Sequence, residues 1–504
     1  MTLCATRLCT STDTISQSHS PSNTPGTRWP SLVLISALFA MGLFLLWPGF
    51  SSADTLYVCP NGCAYRQIRV ALFDAQPGDT VMVGPGTYVE SIGLKAGVRV
   101  QGAGPEVTFL ISEGRPVVVG TGSITMTCVL DGFTIIGGAH EPTSRGGAIY
   151  IDSGAKQIIS NNVISGCVAT EKGGGIYIEG PGTAPTIVDN VFVGNTVQRV
   201  GGGAIYVQDA APIIGGNVFV DNLAHKDGGA LAIYTIDAPF PQATITGNIF
   251  LSNSAWAKGG AIYLQGSSPG IRANDILSNT AVTGAGIHAN YNCGARIEGN
   301  LIAHNVAVGV GHDNAGGGLA IVDNSNIHVN RNLVRENAAA LGGGVYVESA
   351  SPHITNNMIV DNGSANLALI TASPSVVNNT ILGASRPGTV GIDLAEFSHP
   401  SIVNNIIAFE ECGIQGDGET TPAIRYNDFW LNLQADYLGV QVDATNLSVD
   451  PHLRDLTNGD YHLKGISPLI DVGSAQDAPL DDFDGDLRPL KPIVNDTISA
   501  LGHE

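Results

Sequence analysis

Along most of this chain, apolar and polar positions alternate in short runs separated by glycine pairs. GGAIYI at 146–151, GGGIYI at 173–178, GGAIYV at 202–207, GGAIYL at 259–264 and GGGVYV at 342–347 are copies of one phrase, and GGALAIY at 228–234 is a variant. In each copy the aliphatic residues fall two apart: Ile176 and Ile178, Ile205 and Val207, Ile262 and Leu264, Val345 and Val347. That period predicts short strands with the aliphatic side facing in and the tyrosines on the opposite side. The glycines mark sharp corners. Tyr150, Tyr177, Tyr206, Tyr234 and Tyr263 recur at steps of 27 to 29 residues, the signature of a repeat architecture.

A second phrase runs between the first, with two asparagines five residues apart. It pairs Asn190 with Asn195, Asn217 with Asn222, Asn248 with Asn253, Asn274 with Asn279, Asn300 with Asn305, Asn332 with Asn337 and Asn357 with Asn362. The series continues at Asn379, Asn405 and Asn427. Constant inner spacing with elastic gaps predicts strands in fixed register joined by variable loops. Stacked copies of such turns place the asparagines in an amide ladder, an architectural role.

The two phrases resemble the right-handed parallel β-helix proteins of the pectin-lyase-like superfamily, over nearly all of the chain after its leader. The resemblance implies an all-β fold: one right-handed parallel β-helix with an N-terminal capping helix.

Residues 1–53 stand apart from the repeats. The run at 31–50 is apolar and uncharged, and Ser51-Ser52-Ala53 follows as a small-residue cleavage pattern. It reads as a secretory signal peptide with a long leader, or as an uncleaved membrane anchor. Either reading places the bulk of the chain outside the cell or at its surface. Residues 54–104 read as an N-terminal cap and first turns, with an amphipathic helix carrying Ile68, Leu72 and Phe73 on one face. The repeats occupy 105–445. In 446–504 the rhythm breaks into Asp450-Pro451, Gly459-Asp460-Tyr461-His462-Leu463 and the run DFDGDLRP at 482–489. This block resembles the C-terminal part of bacterial surface β-helix proteins and is expected to close the last turn.

Composition suits a coil of short strands, with 64 glycines in 504 residues and only 13% charged residues. The net charge of −21 argues against a nucleic-acid partner, which needs a basic field. Cys59 and Cys63 are close enough to bridge in an oxidising compartment, whereas Cys128, Cys167, Cys293 and Cys412 read as buried singles.

The motifs of known β-helix enzymes are incomplete here. Gly311-His312-Asp313 echoes one polygalacturonase phrase, Asp450-Pro451-His452 echoes part of a uronan-epimerase phrase, and Arg296 follows a glycine turn without an acidic cluster. The 86–90 phrase GTYVE matches the opening of pectin methylesterases, without that family's other marks. Asp482, Asp484 and Asp486 alternate around a glycine, as calcium loops do; a solvated acidic turn is the other reading. Two rows carry more chemistry. Tyr177, Tyr206, Tyr234 and Tyr263 would form an outward aromatic strip, and Lys172, Arg199, Lys226 and Lys258 a cationic row beside it. Together they suit an anionic polysaccharide. The plainer reading is that the tyrosines stabilise neighbouring strands and the cations offset net charge. The sequence therefore predicts an exported polysaccharide-binding protein with no identifiable catalytic motif. A polysaccharide lyase or glycoside hydrolase and a structural spacer or adhesin are the alternatives.

Overall fold

The computed structural model describes residues 53–122, 124–139, 144–236, 242–384 and 387–488. The leader with its apolar run, and the final residues 489–504, lie outside the described residues. No helix among the described residues is long and apolar enough to cross a membrane.

The described chain winds into an all-β parallel solenoid of about 14 turns. One turn shows how the phrases work. Thr186–Val188 belongs to the first sheet, Val191–Val193 and Thr196–Val197 to the second, and Ile205–Gln208 to the third. The residues between strands, Asp189 and Gly194, take left-handed φ of 56° and 63°. Each left-handed residue is followed by a ladder asparagine, so the pair makes the bend. The first sheet stacks 15 strands and the third 14, all in chain order.

The period-two reading holds in the core. Ile176 pairs with Ile205, Ile205 with Leu231, and Leu231 with Ile262 on successive turns. Ile176, Ile178, Ile205, Val207, Ile262, Leu264, Val345 and Val347 are all fully buried. The asparagines are buried as well, and each is satisfied. Asn190 Nδ2 donates to the Asn217 side-chain oxygen at 3.0 Å and to the Ile159 carbonyl at 2.9 Å. The Asn190 backbone N–H donates to the same Asn217 oxygen at 3.0 Å. The ladder starts earlier and ends later than the spacing suggested, at Asn162 and Asn446. In the second ladder Cys167 takes one asparagine position, its backbone N–H donating to Asn195.

At the N-terminal end the helix is Ile68–Asp74, and it buries Ile68, Ala71 and Leu72 against the first strands. Phe73 is not on the buried face; it is 83% exposed. The buried face is formed by Ile68, Ala71 and Leu72, at the i, i+3, i+4 spacing of a helix. The GTYVE phrase serves this region: Glu90 accepts the Ile68 and Arg69 N–H groups at 2.8 and 3.0 Å, satisfying two orphan donors of the helix. Cys59 and Cys63 are joined, with Cα atoms 5.5 Å apart.

The C-terminal block does more than close the last turn, which its first residues Asn446 and Leu447 continue. The coil itself continues through Leu447, which bridges to Asp428. The block then lies along the flank of the late turns. Leu453, Leu463 and Leu469 pack on Met358, Val360, Leu382, Ile406 and Ala408, on the outer side of the second sheet. Asn404 exchanges hydrogen bonds with Ser474, Arg425 pairs with Asp477, and Arg488 reaches Asn356. The outward positions of those late strands are apolar, so the block buries a face that water would otherwise meet.

Candidate functional site

Between the second ladder and each third-sheet strand runs a corner segment of three or four residues and a glycine run. Backbone bridges align Arg145, Lys172, Gly201, Asp227, Lys258 and Thr283 on successive turns. Lys172 and Lys258 therefore share a row, and Arg199 and Lys226 do not belong to it. They sit nearer the ladder, because the leading asparagine is nine residues before them and ten before the two lysines. A one-residue difference moves a side chain to the next row.

The tyrosines lie opposite the aliphatic core but do not form an exposed strip. Tyr177, Tyr206 and Tyr263 are 0%, 2% and 3% exposed. The neighbouring rings, Val200, Arg145 and Lys172 pack against them, and the glycine run folds close against the backbone of the strand that follows it. At Gly202, with φ of 70°, an added Cβ would stand 2.3 Å from the Ile205 oxygen, so only glycine permits the approach. Tyr234 is also out of register: Ala232 pairs with Tyr206, and Tyr234 pairs with Gln208. Its ring turns into the gap above Ala232 and lies 5.0 Å from Tyr206 and 5.2 Å from Tyr263. The column is thus continuous from Tyr150 to His288.

Polar groups line the edge of this column. The Tyr150 and Tyr177 hydroxyls donate to Glu179, and the Tyr263 hydroxyl to Gln265 at 2.8 Å. Lys172 Nζ donates to Gln208 at 2.7 Å and lies 5.0 Å over the Tyr206 ring. Burial and the nearby Arg145 push the Lys172 pKa down. Arg145 lies over Tyr177 at 5.6 Å. Asp227 is buried; Lys226 Nζ stands 3.7 Å from its Oδ2, and the Tyr234 hydroxyl donates to that oxygen at 3.2 Å. Burial raises the Asp227 pKa even though Lys226 and Lys258 oppose the shift.

What the solenoid does expose is Trp256. Its indole stacks on His225 of the turn before, with centroids 3.8 Å apart and planes 5° apart, and the residue is 60% exposed. Exposed Arg199 and Lys226 stand on the same ledge, with half-buried Lys258 beyond. Sequence reasoning passed over this pair. The available signal was its equivalent placement, His225 after Asn222-Leu-Ala224 and Trp256 after Asn253-Ser-Ala255.

A right-handed β-helix region family model matches residues 122–250, 191–351 and 242–381, together just over half of the chain. The chain belongs to the right-handed β-helix family. Its similarity to solved β-helix structures is distant. The catalytic domain of a GH87 α-1,3-glucanase in complex with nigerose is 11% identical, with a TM-score of 0.40, covering 78% of this chain and 69% of that one. A PL6-family alginate lyase is 15% identical at TM-score 0.45, covering 82% of this chain and 55% of that one. The A-module of an Azotobacter vinelandii mannuronan C-5 epimerase is 14% identical at TM-score 0.29, covering 76% and 94%. No curated protein matches the chain.

In this β-helix the other sequence candidates serve local structure. Asp482, Asp484 and Asp486 do not converge. Asp482 accepts the Asp486 N–H at 2.9 Å, while Asp484 meets His462 Nε2 at 2.9 Å. No group of three metal-ligating side chains is arranged around an ion site among the described residues. Asp450 accepts the His452 N–H at 2.8 Å, closing its own turn. Gly311–Asp313 is a single 3-10 turn.

Proposed function

We propose that this protein is an exported β-helix that binds an extended, anionic polysaccharide on the ledge formed by Lys172, Arg199, Lys226, Trp256 and Lys258. The observation that carries the reading is Trp256, held flat by His225 and left open to solvent among cations. An immobilised aromatic face offers apolar area to a sugar ring at low entropic cost, and the flanking cations match carboxylate or sulfate groups. Four turns span about 14 Å from first to last at roughly 4.8 Å per turn, enough for about three sugar units. Tyr177, Tyr206, Tyr234 and Tyr263 act beneath this ledge as its rigid support. On the same proposal, residues 1–53 direct export, 54–104 open the coil, 105–445 form it and 446–504 clamp its late turns.

The test is affinity electrophoresis of the mature protein against polyuronate, sulfated and neutral polysaccharides, with indole fluorescence as a second readout. Retention by an acidic polymer that falls with added salt and is lost in Trp256→Ala is the expected result. Equal retention of the Trp256→Ala protein overturns the assignment.

A second reading, polysaccharide cleavage, is favoured by Asp227. A buried carboxyl with a raised pKa, beside a tyrosine hydroxyl and between two lysines, has the makings of an acid–base group. Release of reducing or unsaturated ends by the native protein but not by Asp227→Asn would establish it.

A further inference from the structure

On the first sheet, away from the ledge, Arg296, His328 and His353 pair directly on three successive turns. All three point outward: Arg296 and His353 are exposed and His328 is half-buried. The two imidazoles stack with centroids 4.9 Å apart. The turns that lead into His328 and His353 border a groove of about 470 Å³, lined by amide and hydroxyl side chains including Asn324, Asn326, Ser351 and Ser373. No carboxylate lines it.

These features suit one ligand. Amides and hydroxyls exchange hydrogen bonds with sugar hydroxyls without fixing one orientation. A row of one guanidinium and two imidazoles at roughly 4.8 Å spacing follows a polymer whose anionic groups recur along its length. We infer that this groove and the Arg296–His328–His353 row form a second binding site, for a sulfated saccharide segment, that tightens when the histidines are protonated.

The charges around His328 agree with that direction. Burial holds its pKa down, and His353 one turn after and Arg296 one turn before add to the shift; a bound sulfate offsets that repulsion. Glu298, two residues along from Arg296, is engaged by Arg272 at 3.1 Å and Arg331 at 2.7 Å. Asp323 and Glu348 are exposed at the third-sheet ends of the turns, beyond the groove-lining residues. Thr371, which lines the groove, donates to Glu396 at 3.4 Å. Among the described residues no carboxylate pairs with either imidazole of the row, and an anionic ligand supplies that charge.

The experiment measures retention of the full-length protein on a sulfated dextran gel at about pH 5 and about pH 7.5, either side of the ordinary histidine range. Native protein and Trp256→Ala are both expected to bind several-fold tighter at the lower pH, because this site is separate from the ledge. His328→Gln with His353→Gln is expected to lose that gain while keeping the binding seen at the higher pH. Both positions face outward, so folding of the double variant is expected to be unchanged and is checked by circular dichroism. Persistence of the gain in the double histidine variant overturns the inference, since general loss of negative charge would then explain it. Loss of the gain in Trp256→Ala also overturns it, by assigning the effect to the ledge.

Discussion

The middle and late turns of this coil use the same corners and the same ladder but differ on the outside. In the middle, ladder asparagines are 26 to 31 residues apart, and the corner segments are long enough to project Arg199, Lys226 and Trp256. Later the steps shorten to 22, 26 and 22 residues. From Leu333–Arg335 onward each described turn carries one strand of the second sheet in place of two. The outer side of the second sheet is apolar in both regions. In the middle it meets water, with Val191, Ile249 and Leu251 each more than a third exposed. In the late turns the C-terminal block covers it. Carboxylates are also buried there: Glu410 replaces an asparagine and accepts from Asn366, and Asp428, in register with Ile406 on the outer side of the second sheet, is covered by the chain that follows and accepts the Val449 N–H. The backbone scheme is indifferent to what the outside does. A ledge arises where a turn has residues to spare, and a sealed flank where it does not.

The strongest way to break this scheme is at the core shared by both regions. Ile205→Asn should cost about 3–5 kcal/mol, combining a lost aliphatic contact with an unpaired polar group, and should lower the denaturant midpoint accordingly. The ladder is next. Asn222→Ala removes donors to the Phe192 carbonyl and to Asn253, and the acceptor used by Asn195, with an expected loss of about 2–4 kcal/mol.

The late turns offer a change of opposite sign. Burial pushes the Asp428 pKa up to about 7 from 3.8, with Asp436 and Asp450 adding to the rise. Between those values the folded protein holds a proton that the unfolded chain has released. The group's contribution is therefore intact below the unfolded value and is lost as pH rises to the folded one. Asp428→Asn should stabilise the protein by roughly 2–4 kcal/mol near pH 8 and by almost nothing near pH 4. Chemical denaturation at the two pH values checks this, and equal effects at both would contradict the buried-carboxyl account. The smallest expected effect is that of Trp256→Ala on stability, under about 1 kcal/mol, because most of the indole is already in water. A large loss would make Trp256 structural and would remove the contrast between ledge and flank.

Which of these features the sequence discloses depends on how local their causes are. Ile176 and Ile205 are legible because strand period alone assigns them to one side. Asn190 and Asn195 are legible because a three-residue strand between two bends fixes their spacing. The exposure of Tyr206 is not, since alternation places a side chain opposite the core without saying what lies over it. The cover comes from Lys172 and from the rings of the neighbouring turns, which only the stacking of turns brings over it. Lys226 and Lys258 stand one residue out of alignment, and the only trace of it in the sequence is a leading-asparagine gap of nine against ten. The docking of Arg488 on Asn356 joins positions 132 residues apart and leaves no periodic trace.

The asparagine ladder has one more consequence. Every asparagine-to-asparagine bond donates toward the turn that follows, while the second amide hydrogen anchors each side chain to a carbonyl of the turn before, so the chain of side-chain bonds has a single sense along the axis. Such a chain can be spliced only where an oxygen meets the next donor. Removing one whole turn, from Asn274 to Gly299, would bring Asn248 against Asn300 and close the gap. Removing half a turn would leave two buried bends facing the wrong partners. The length of this protein is therefore quantised, in steps of about 4.8 Å, and a lineage could lengthen or shorten its ledges by whole repeats without redesigning the interior.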